Sequence, residues 1–183
     1  VKAAESADVA VVVAGIEEGE FRDRGYLTLP GRQEELIRRV AATGKPVVVV
    51  LIGGSAIVMS EWLDQVPAVL NAWYPGEQGG TAVAEVLFGD YNPAGRLPLT
   101  YYKSLDELPP FDDYDITKGR TYKYFKGDVL YPFGYGLSYS SFKYSDLQVK
   151  DGAGEVTVSF LLKNTGKRNG DEVAQVYVRI PDA

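Results

Sequence analysis

The sequence has no cysteine and no histidine among its 183 residues. The absence of cysteine excludes disulfides and thiol nucleophiles, and the absence of histidine excludes imidazole bases. Together these absences also remove the two most common zinc ligands. Any catalytic chemistry must therefore use carboxylates, lysine, arginine, tyrosine or hydroxyl groups.

The sequence also lacks clusters of basic residues and long apolar runs. Its net charge is −6 and its pI is about 4.8, so neither a nucleic acid nor a membrane surface is expected as a partner. No segment approaches the roughly 20 apolar residues that span a bilayer. The N-terminal "VKAAESADVA" does not have the layout of a signal peptide, and a start at Val1 suggests a fragment or a processed chain. The hydrophobic content of 45% indicates a globular protein with one substantial core and a smaller second unit.

The first half of the chain alternates strand-like and helix-like segments. This alternation predicts an α/β fold with a mainly parallel sheet and helices on both faces. The β-branched run Val9 to Ala14 is typical of a strand that is covered on both sides. The other predicted strands are Pro46 to Ile52 and Ala68 to Trp73, and the predicted helices are Gly31 to Ala42, Ser60 to Gln65 and Gly79 to Phe88.

The second half of the chain has a different residue composition and hydrophobic pattern. Residues 89–138 are rich in proline, glycine and aspartate, and they are interpreted as extended connecting loops. Alternating polar and apolar residues then predict three strands, at Lys143 to Lys150, Glu155 to Asn164 and Glu172 to Arg179. Three strands are too few for a sandwich of about seven. We therefore expect one domain over residues 1–138 and part of a β-sandwich domain over residues 139–183.

A dense group of charges follows the first predicted strand. Glu17, Glu18 and Glu20 lie there with nearby arginines, and the loops that leave the carboxyl ends of parallel strands are where α/β proteins bind ligands. Any of the three glutamates could be a general acid if burial or a neighbouring carboxylate raised its pKa. The alternative is a solvated loop in which Asp23 and Arg24 only form caps and surface ion pairs.

Two further motifs have structural explanations. Gly53 and Gly54 in "LIGGSA" could present amides to a phosphate, but the spaced glycines of a dinucleotide loop are missing and a tight turn is the better account. Ser60 and Glu61 in "SEW" could suggest a nucleophile. They lie where a helix is predicted to begin, so a serine cap and a glutamate in the first turn explain them.

Two groups of aromatic residues also have more than one interpretation. Trp73 and Tyr74, at the end of the third predicted strand, could stack on a sugar ring or could close the core. The tyrosine- and glycine-rich segment Tyr122 to Tyr144 is interpreted as a structural hinge that packs aromatic rings between two domains.

Four separated motifs together resemble glycoside hydrolase family 3, the β-glucosidase and β-xylosidase family. They are "EFRDRGYLTLPGRQEELI", "GKPVVVVLIGGSAI", "NAWYPGEQGGTAVAEVLFGDYNPAGRLPLTYY" and "YPFGYGLSYSSF". The resemblance implies a six-stranded α/β sandwich domain followed by part of a fibronectin III-like domain. It also implies that the aspartate nucleophile lies on a (β/α)8 barrel that is absent from this sequence.

The resemblance also implies roles for residues of the charged loop. The family's Glu-x-x-Asp-Arg pattern falls on Glu20, Asp23 and Arg24, which implies Glu20 as the acid/base and Arg24 as a substrate-binding residue. Glu18 and Glu17 are the fallback candidates for the acid/base. No residue matches the nucleophile, because "SEW" has glutamate in place of aspartate and lies in the wrong domain.

The implied activity is that of a retaining exo-β-glycosidase, of which this chain would be one part. The expected partners are a β-linked oligosaccharide or aryl β-glycoside and a barrel domain from the same gene or a companion chain. No cofactor and no metal are expected, and a periplasmic or secreted location is favoured over a cytoplasmic one. A non-catalytic carbohydrate-binding or interaction module is the alternative, and a nucleotide-binding domain is disfavoured by the missing glycine loop.

Overall fold

A computed structural model of the chain describes residues 1–22 and 24–179. It forms two compact units: the first comprises Val1–Val83 and Leu97–Phe133, and the second comprises Ala84–Arg96 and the described residues from Gly134 onward. The predicted division at residues 138 and 139 remains a prediction. In the described part of the chain, no helix has the length and apolar character required to cross a membrane.

A parallel sheet organises the first unit. Its strands are β1 (Ala10–Gly15), β2 (Val47–Ile52) and β3 (Ala68–Trp73), and they lie side by side in the order β1-β2-β3. Both pairings are parallel, with Val12 opposite Val49 and Val49 opposite Val69. The predicted α/β class is confirmed, and the parallel sheet has three strands in the part of the chain that the structure describes.

Helices α1 (Lys2–Glu5), α2 (Gln33–Ala41) and α3 (Gly79–Phe88) lie between or beside these strands in the sequence. Helix α2 buries Ile37 and Val40 and leaves Leu36 46% exposed. It has acidic residues in its first turn and basic residues in its last, which suits the helix dipole. The chain leaves α2 through Gly44, whose φ of 75° favours glycine.

The predicted helix at Ser60 to Gln65 is shorter than expected. The structure has a single 3-10 turn at Leu63–Gln65, and Ser60 is not its cap. The Ser60 hydroxyl instead donates a hydrogen bond to the Lys103 carbonyl at 2.8 Å. The hydroxyl is therefore used for a tertiary contact, and the predicted cap is wrong.

The core of the first unit is formed by residues of β1, β2 and α2 together with residues of the segments that connect them. Ile37, Leu51, Trp62 and Tyr101 are essentially inaccessible. Strand β1 alternates between buried and exposed residues, so the expectation that it is covered on both sides is wrong for the described residues. Val13 is 65% exposed, because no described segment covers that face of β1.

Residues 97–133 contain short elements where only connecting loops were predicted. These elements are β4 (Tyr101–Tyr102), the 3-10 turn Ile116–Lys118, α4 (Thr121–Tyr124) and β5 (Val129–Tyr131). Strands β4 and β5 pair in antiparallel fashion. Their aromatic rings are in contact: Tyr101 meets Tyr131 edge to face, with ring centres 6.4 Å apart.

The second unit contains a long antiparallel hairpin of β6 (Phe142–Gly152) and β7 (Glu155–Asn164). The hairpin turns at Gly154, which has a φ of 88°. The third predicted strand, Glu172 to Arg179, is wrong: these residues form no strand because they pair with neither β6 nor β7. The last residues of the predicted second domain, 180–183, lie outside the described residues.

The tyrosine-rich segment Tyr122 to Tyr144 spans the boundary between the two units. Two of its ring contacts lie within one unit: Tyr122 stacks on Phe133 at 4.4 Å in the first unit, and Tyr144 lies 5.5 Å from Phe160 in the second. Its proposed role as a hinge between domains remains a prediction.

Candidate active-site loop

Three segments converge at the carboxyl edge of the parallel sheet. Because β1, β2 and β3 run in the same direction, the residues that follow each strand leave from the same edge. The segment after β1, residues 16–32, is called the charged loop below. Residues 53–56 follow β2, and Tyr74 follows β3.

The charged loop is clamped at its base by Gln33, the first residue of α2. The Gln33 carboxamide oxygen accepts a hydrogen bond from the Gly15 amide at 2.8 Å, and its nitrogen donates to the Gly15 carbonyl at 2.8 Å. The same nitrogen also donates to the Pro30 carbonyl at 3.1 Å. One side chain therefore joins the two ends of the loop.

Buried residues hold the two flanks of the loop against the core. Ile16 is 7% exposed, and its amide donates to the Ile52 carbonyl at 2.9 Å. On the return side, Leu29 is 4% exposed, and the Val58 amide donates to the Leu27 carbonyl at 2.9 Å. The middle of the loop, which holds the charges, is thus carried between two fixed flanks.

Glu18 is the centre of a polar network that joins all three segments. Its carboxylate lies 3.1 Å from Nε of Arg24 and accepts a hydrogen bond from the Gly54 amide at 2.9 Å. It also accepts hydrogen bonds from the Ser55 hydroxyl and, at 3.3 Å, from the Tyr74 hydroxyl. Gly54 is suited to this place, since a Cβ there would lie 2.6 Å from the Tyr74 ring.

This network determines the charge of Glu18. Burial acts to raise the pKa of its carboxyl group, but the hydrogen bonds from Ser55 and Gly54 and the positive charge of Arg24 outweigh burial, so the pKa lies below its ordinary value. Glu18 is therefore an ionised acceptor near neutral pH. A carboxylate in this state is a poor proton donor.

Arg24 is held by the protein on several sides. Its Nη2 donates to the Ala56 carbonyl at 2.7 Å and to the Ser55 hydroxyl at 3.0 Å, while Nε faces Glu18. Its Nη1 is buried and has no hydrogen-bond partner among the described residues. Burial raises the pKa of Tyr101 to about 12 against the opposing effect of the Arg24 charge, so Tyr101 stays neutral.

Glu20 lies at the tip of a tight turn. The turn runs from Gly19 to Arg22 and is closed by a hydrogen bond from the Arg22 amide to the Gly19 carbonyl at 3.0 Å. Phe21, the third residue of the turn, has a φ of 64° and is 95% exposed. Glu20 is exposed, and within the described residues no hydrogen bond or ion pair holds its carboxylate.

The other predicted residues of the charged loop differ in their surroundings. Glu17 is exposed and lies 3.6 Å from Nη1 of Arg22, which is also exposed. Asp23, the aspartate of the Glu-x-x-Asp-Arg pattern, lies outside the described residues. The structure thus joins Glu18 and Arg24, and it leaves Glu17 and Glu20 at the surface.

An open cavity of about 430 Å³ lies beside this network. The charged loop, the segment after β2 and two aromatic residues form its wall: Glu18, Gly19, Arg22, Arg24, Leu27, Ser55, Tyr74 and Phe111. Tyr74 and Phe111 are 57% and 69% exposed, so their rings are accessible. Accessible aromatic faces of this kind can stack on the rings of sugars. The described part of the chain contains no group of three or more acidic side chains placed to hold a metal ion.

The remaining sequence candidates are separated by the structure. The amides of Gly53 and Gly54 are both used within the protein, since Gly53 donates to the Trp73 carbonyl at 3.1 Å. Trp73 packs against the core, whereas Tyr74 faces the cavity. The core interpretation therefore applies to Trp73, and sugar stacking by Tyr74 remains a prediction.

Sequence reasoning missed Ser55 and Phe111 as members of this site. A usable signal existed for Ser55, because the parallel sheet places the residues after β2 beside those after β1. Phe111 belongs to the proline-rich segment, and no local pattern placed it near the charged loop.

Comparison with known proteins identifies the family. Residues 1–139 match the glycosyl hydrolase family 3 C-terminal domain. The chain belongs to this family. The resemblance stated from the four motifs is thereby confirmed.

Individual family 3 relatives cover nearly all of the chain. It is 45% identical to a xylan 1,4-β-xylosidase of Xylanibacter ruminicola over 96% of this chain and 20% of the relative. It is 40% identical to a periplasmic β-glucosidase of Salmonella typhimurium over 98% of this chain and 26% of the relative. The solved structure of β-glucosidase 3B from Thermotoga neapolitana in complex with glucose superposes with a TM-score of 0.83 and 35% identity, covering 92% of this chain and 27% of that one. The chain thus spans only about a fifth to a quarter of the length of these family 3 proteins.

Proposed function

We propose that this chain supplies the general acid/base of a retaining exo-β-glycosidase that removes terminal non-reducing β-D-glycosyl residues, and that Glu20 is the acid/base. A (β/α)8 barrel, from the same gene or a companion chain, supplies the aspartate nucleophile. The charged loop overhangs the sugar pocket of that barrel. The names of the relatives favour a β-glucoside or a β-xyloside as the substrate.

The observation that carries this proposal is the different state of the three loop glutamates. Glu18 is ionised and held by four neighbours, and Glu17 lies beside Arg22. Glu20 is presented at a turn tip without a partner among the described residues, and it precedes Arg24 by four residues. An acid that must reach a glycosidic oxygen on another domain has to be accessible in this way.

The chemistry requires a second carboxyl group that this chain does not provide. A retaining glycosidase places its two carboxyl groups about 5 to 5.5 Å apart, one attacking the anomeric carbon while the other protonates the leaving oxygen. The acid then acts as a base and takes a proton from the water that releases the sugar. We expect the isolated chain to hydrolyse no aryl β-glycoside above background, because it lacks the nucleophile.

The test uses an intact enzyme in which this chain is joined to its barrel. A general acid matters most for poor leaving groups, since an alkoxide must be protonated as it departs and a dinitrophenolate need not be. Glu20→Gln should therefore lower kcat/KM for a β-disaccharide by about 10²- to 10⁴-fold and for a dinitrophenyl β-glycoside much less. Glu17→Gln is the matched control and should change neither value appreciably, because Glu17 is an exposed loop glutamate of the same charge.

The decisive quantity is the ratio of kcat/KM for the β-disaccharide to kcat/KM for the dinitrophenyl β-glycoside. If this ratio is the same in Glu20→Gln as in the unmodified enzyme, the proposed role of Glu20 is wrong. If Glu17→Gln or Glu18→Gln lowered the ratio instead, the acid/base would be that residue. In that case the four-residue spacing to Arg24 would be a false guide.

A second candidate is a non-catalytic carbohydrate-binding module, and the accessible rings of Tyr74 and Phe111 favour it. Aromatic faces bind sugars by stacking without any need for an acid. Titration calorimetry of the chain with cello- and xylo-oligosaccharides separates the candidates. Binding that Phe111→Ala abolishes, together with full activity of the intact Glu20→Gln enzyme, would support the module.

A further inference from the structure

We infer that Glu18 and Arg24 form a positioning pair that fixes the turn carrying Glu20, and that neither residue touches the substrate. This inference rests on the proposed role of Glu20. The pair brackets the turn from Gly19 to Arg22: Glu18 directly precedes it, and Arg24 lies two residues after it. The Glu18 carboxylate and the Arg24 guanidinium, 3.1 Å apart, thus join the two ends of the short segment that contains Glu20, and these two ends are called the neck below.

Both sides of this neck are attached to the same segment of the protein. Glu18 accepts from the Gly54 amide at 2.9 Å, and Arg24 donates to the Ala56 carbonyl at 2.7 Å. The Ser55 hydroxyl serves both residues, because it donates its proton to Glu18 and accepts a hydrogen bond from Arg24 at 3.0 Å. This segment directly follows β2, a strand of the core, so the neck is attached to a rigid part of the fold.

Burial distinguishes this pair from its neighbour in the loop. The side chains of Glu18 and Arg24 are 18% and 13% exposed. Those of Glu17 and Arg22 are 91% and 72% exposed, and their separation is 3.6 Å. Exposed ion pairs contribute little to structure, whereas a mostly buried pair with several hydrogen bonds holds one geometry. The Glu17–Arg22 pair is therefore a matched control in the same loop.

Two of the three guanidinium nitrogens of Arg24 have partners within the protein. Nε and Nη2 are directed at Glu18, Ser55 and Ala56, and Nη1 is too deeply buried for a sugar hydroxyl to reach it. The family pattern predicts a substrate-binding role for Arg24. A positioning role and a substrate-binding role have different kinetic consequences, which the following experiment separates.

The experiment measures kcat/KM for a β-disaccharide and for a dinitrophenyl β-glycoside in the intact enzyme. Variants are Glu18→Gln, Arg24→Gln, the double variant, and Glu17→Gln as the control. A displacement of a catalytic group by about 1 Å can cost about 100-fold in rate. We expect Glu18→Gln and Arg24→Gln each to lower the disaccharide value by about 10-fold or more, and the aryl value by less than about threefold.

The ratio of the two values is the decisive readout, because a smaller fraction of folded enzyme lowers both values equally. The double variant should lower the ratio about as much as either single variant, since the two residues act through one contact. Ser55→Ala, which removes only a hydroxyl, should lower the ratio in the same direction and to a smaller extent. It keeps the test available if a charged-pair variant fails to fold.

Each contrary result identifies what is wrong. If Glu20→Gln lowers the ratio while the Glu18, Arg24 and Ser55 variants leave it unchanged, the positioning pair is rejected and the role of Glu20 stands. If Arg24→Gln raises KM for both substrates equally and weakens the binding of a glycone-like inhibitor, Arg24 binds the substrate and the inference is overturned. If Glu20→Gln leaves the ratio unchanged, both the proposed function and this inference fail.

Discussion

Replacing Gln33 with alanine should release the base of the charged loop. The Gln33 side chain makes three hydrogen bonds, two to the backbone of Gly15 and one to the Pro30 carbonyl. The Gly15 amide has Gln33 as its acceptor, while the next amide, that of Ile16, donates to the Ile52 carbonyl in β2. Gln33→Ala thus removes the acceptor of the Gly15 amide and leaves the Ile52 carbonyl as the acceptor of the Ile16 amide.

The expected magnitude follows from these bonds. A typical hydrogen bond contributes about 1 kcal/mol net, so the three together set an upper limit of about 3 kcal/mol. Gly15 and Gln33 are only partly buried, and water replaces part of what is lost. We expect the free energy of unfolding of the first unit to fall by about 1 to 2 kcal/mol. The dependence on urea concentration should keep its slope, because the exposed area on unfolding is unchanged.

Amide hydrogen exchange followed by NMR is the assay. Gly15 should exchange about tenfold faster in Gln33→Ala, since about 1.4 kcal/mol corresponds to a factor of ten, while Ile16 should change much less. Gln65→Ala is the matched control: Gln65 is an exposed glutamine with one local hydrogen bond, to the Glu61 carbonyl at 3.1 Å. If amide exchange accelerates equally at Gly15 and Ile16, or at neither, Gln33 does not hold the base of the charged loop.

Three further predictions concern stability. Ile37→Ala should destabilise the first unit by about 2 to 5 kcal/mol in urea unfolding, because Ile37 is fully buried. Leu36→Ala on the same helix is the control and should cost much less, because Leu36 is 46% exposed. Similar effects from both variants would contradict the packing of α2. The pKa of Glu18 is below its ordinary value of 4.5, so its contribution to stability is complete above that value and is lost as the pH falls through the lower folded-state pKa. The stability advantage of the unmodified chain over Glu18→Gln should therefore be constant above about pH 5.5 and shrink below about pH 4.5, and an advantage that grew on acidification would contradict this. In the isolated chain, amides of β7 (Glu155–Asn164) should exchange rapidly, because a two-stranded hairpin with exposed apolar side chains is marginally stable; strong uniform protection there would contradict this expectation.

Much of the first unit could be predicted from local sequence. The predicted strand Ala68 to Trp73 and the predicted helix Gly79 to Phe88 have the observed bounds, because apolar periodicity and glycine or proline boundaries are local signals. The predicted strand at Glu172 to Arg179 failed because a strand also needs a partner. Alternation of polar and apolar residues says nothing about whether that partner is present.

The candidate site could be located from sequence but its roles could not be read from the loop alone. Composition gave no reason to choose among Glu17, Glu18 and Glu20. What distinguishes Glu18 is its contact with Gly54 and Tyr74, which are 36 and 56 residues away in the chain. Such contacts depend on the parallel packing of β1, β2 and β3. The spacing of Glu20 to Arg24 was informative only through resemblance to the family.

The most direct measurement of the central claim is anion rescue of an intact Glu20→Ala enzyme. Without its base, this variant should accumulate the glycosyl-enzyme when it is given a dinitrophenyl β-glycoside. Azide, which needs no base, should attack the anomeric carbon, displace the aspartate carboxylate and release a β-glycosyl azide. The account predicts that azide raises turnover of Glu20→Ala at least about tenfold and that the β-azide is the product, while Glu17→Ala shows neither effect. No rescue in Glu20→Ala, together with rescue and the β-azide product in Glu17→Ala or Glu18→Ala, would contradict it.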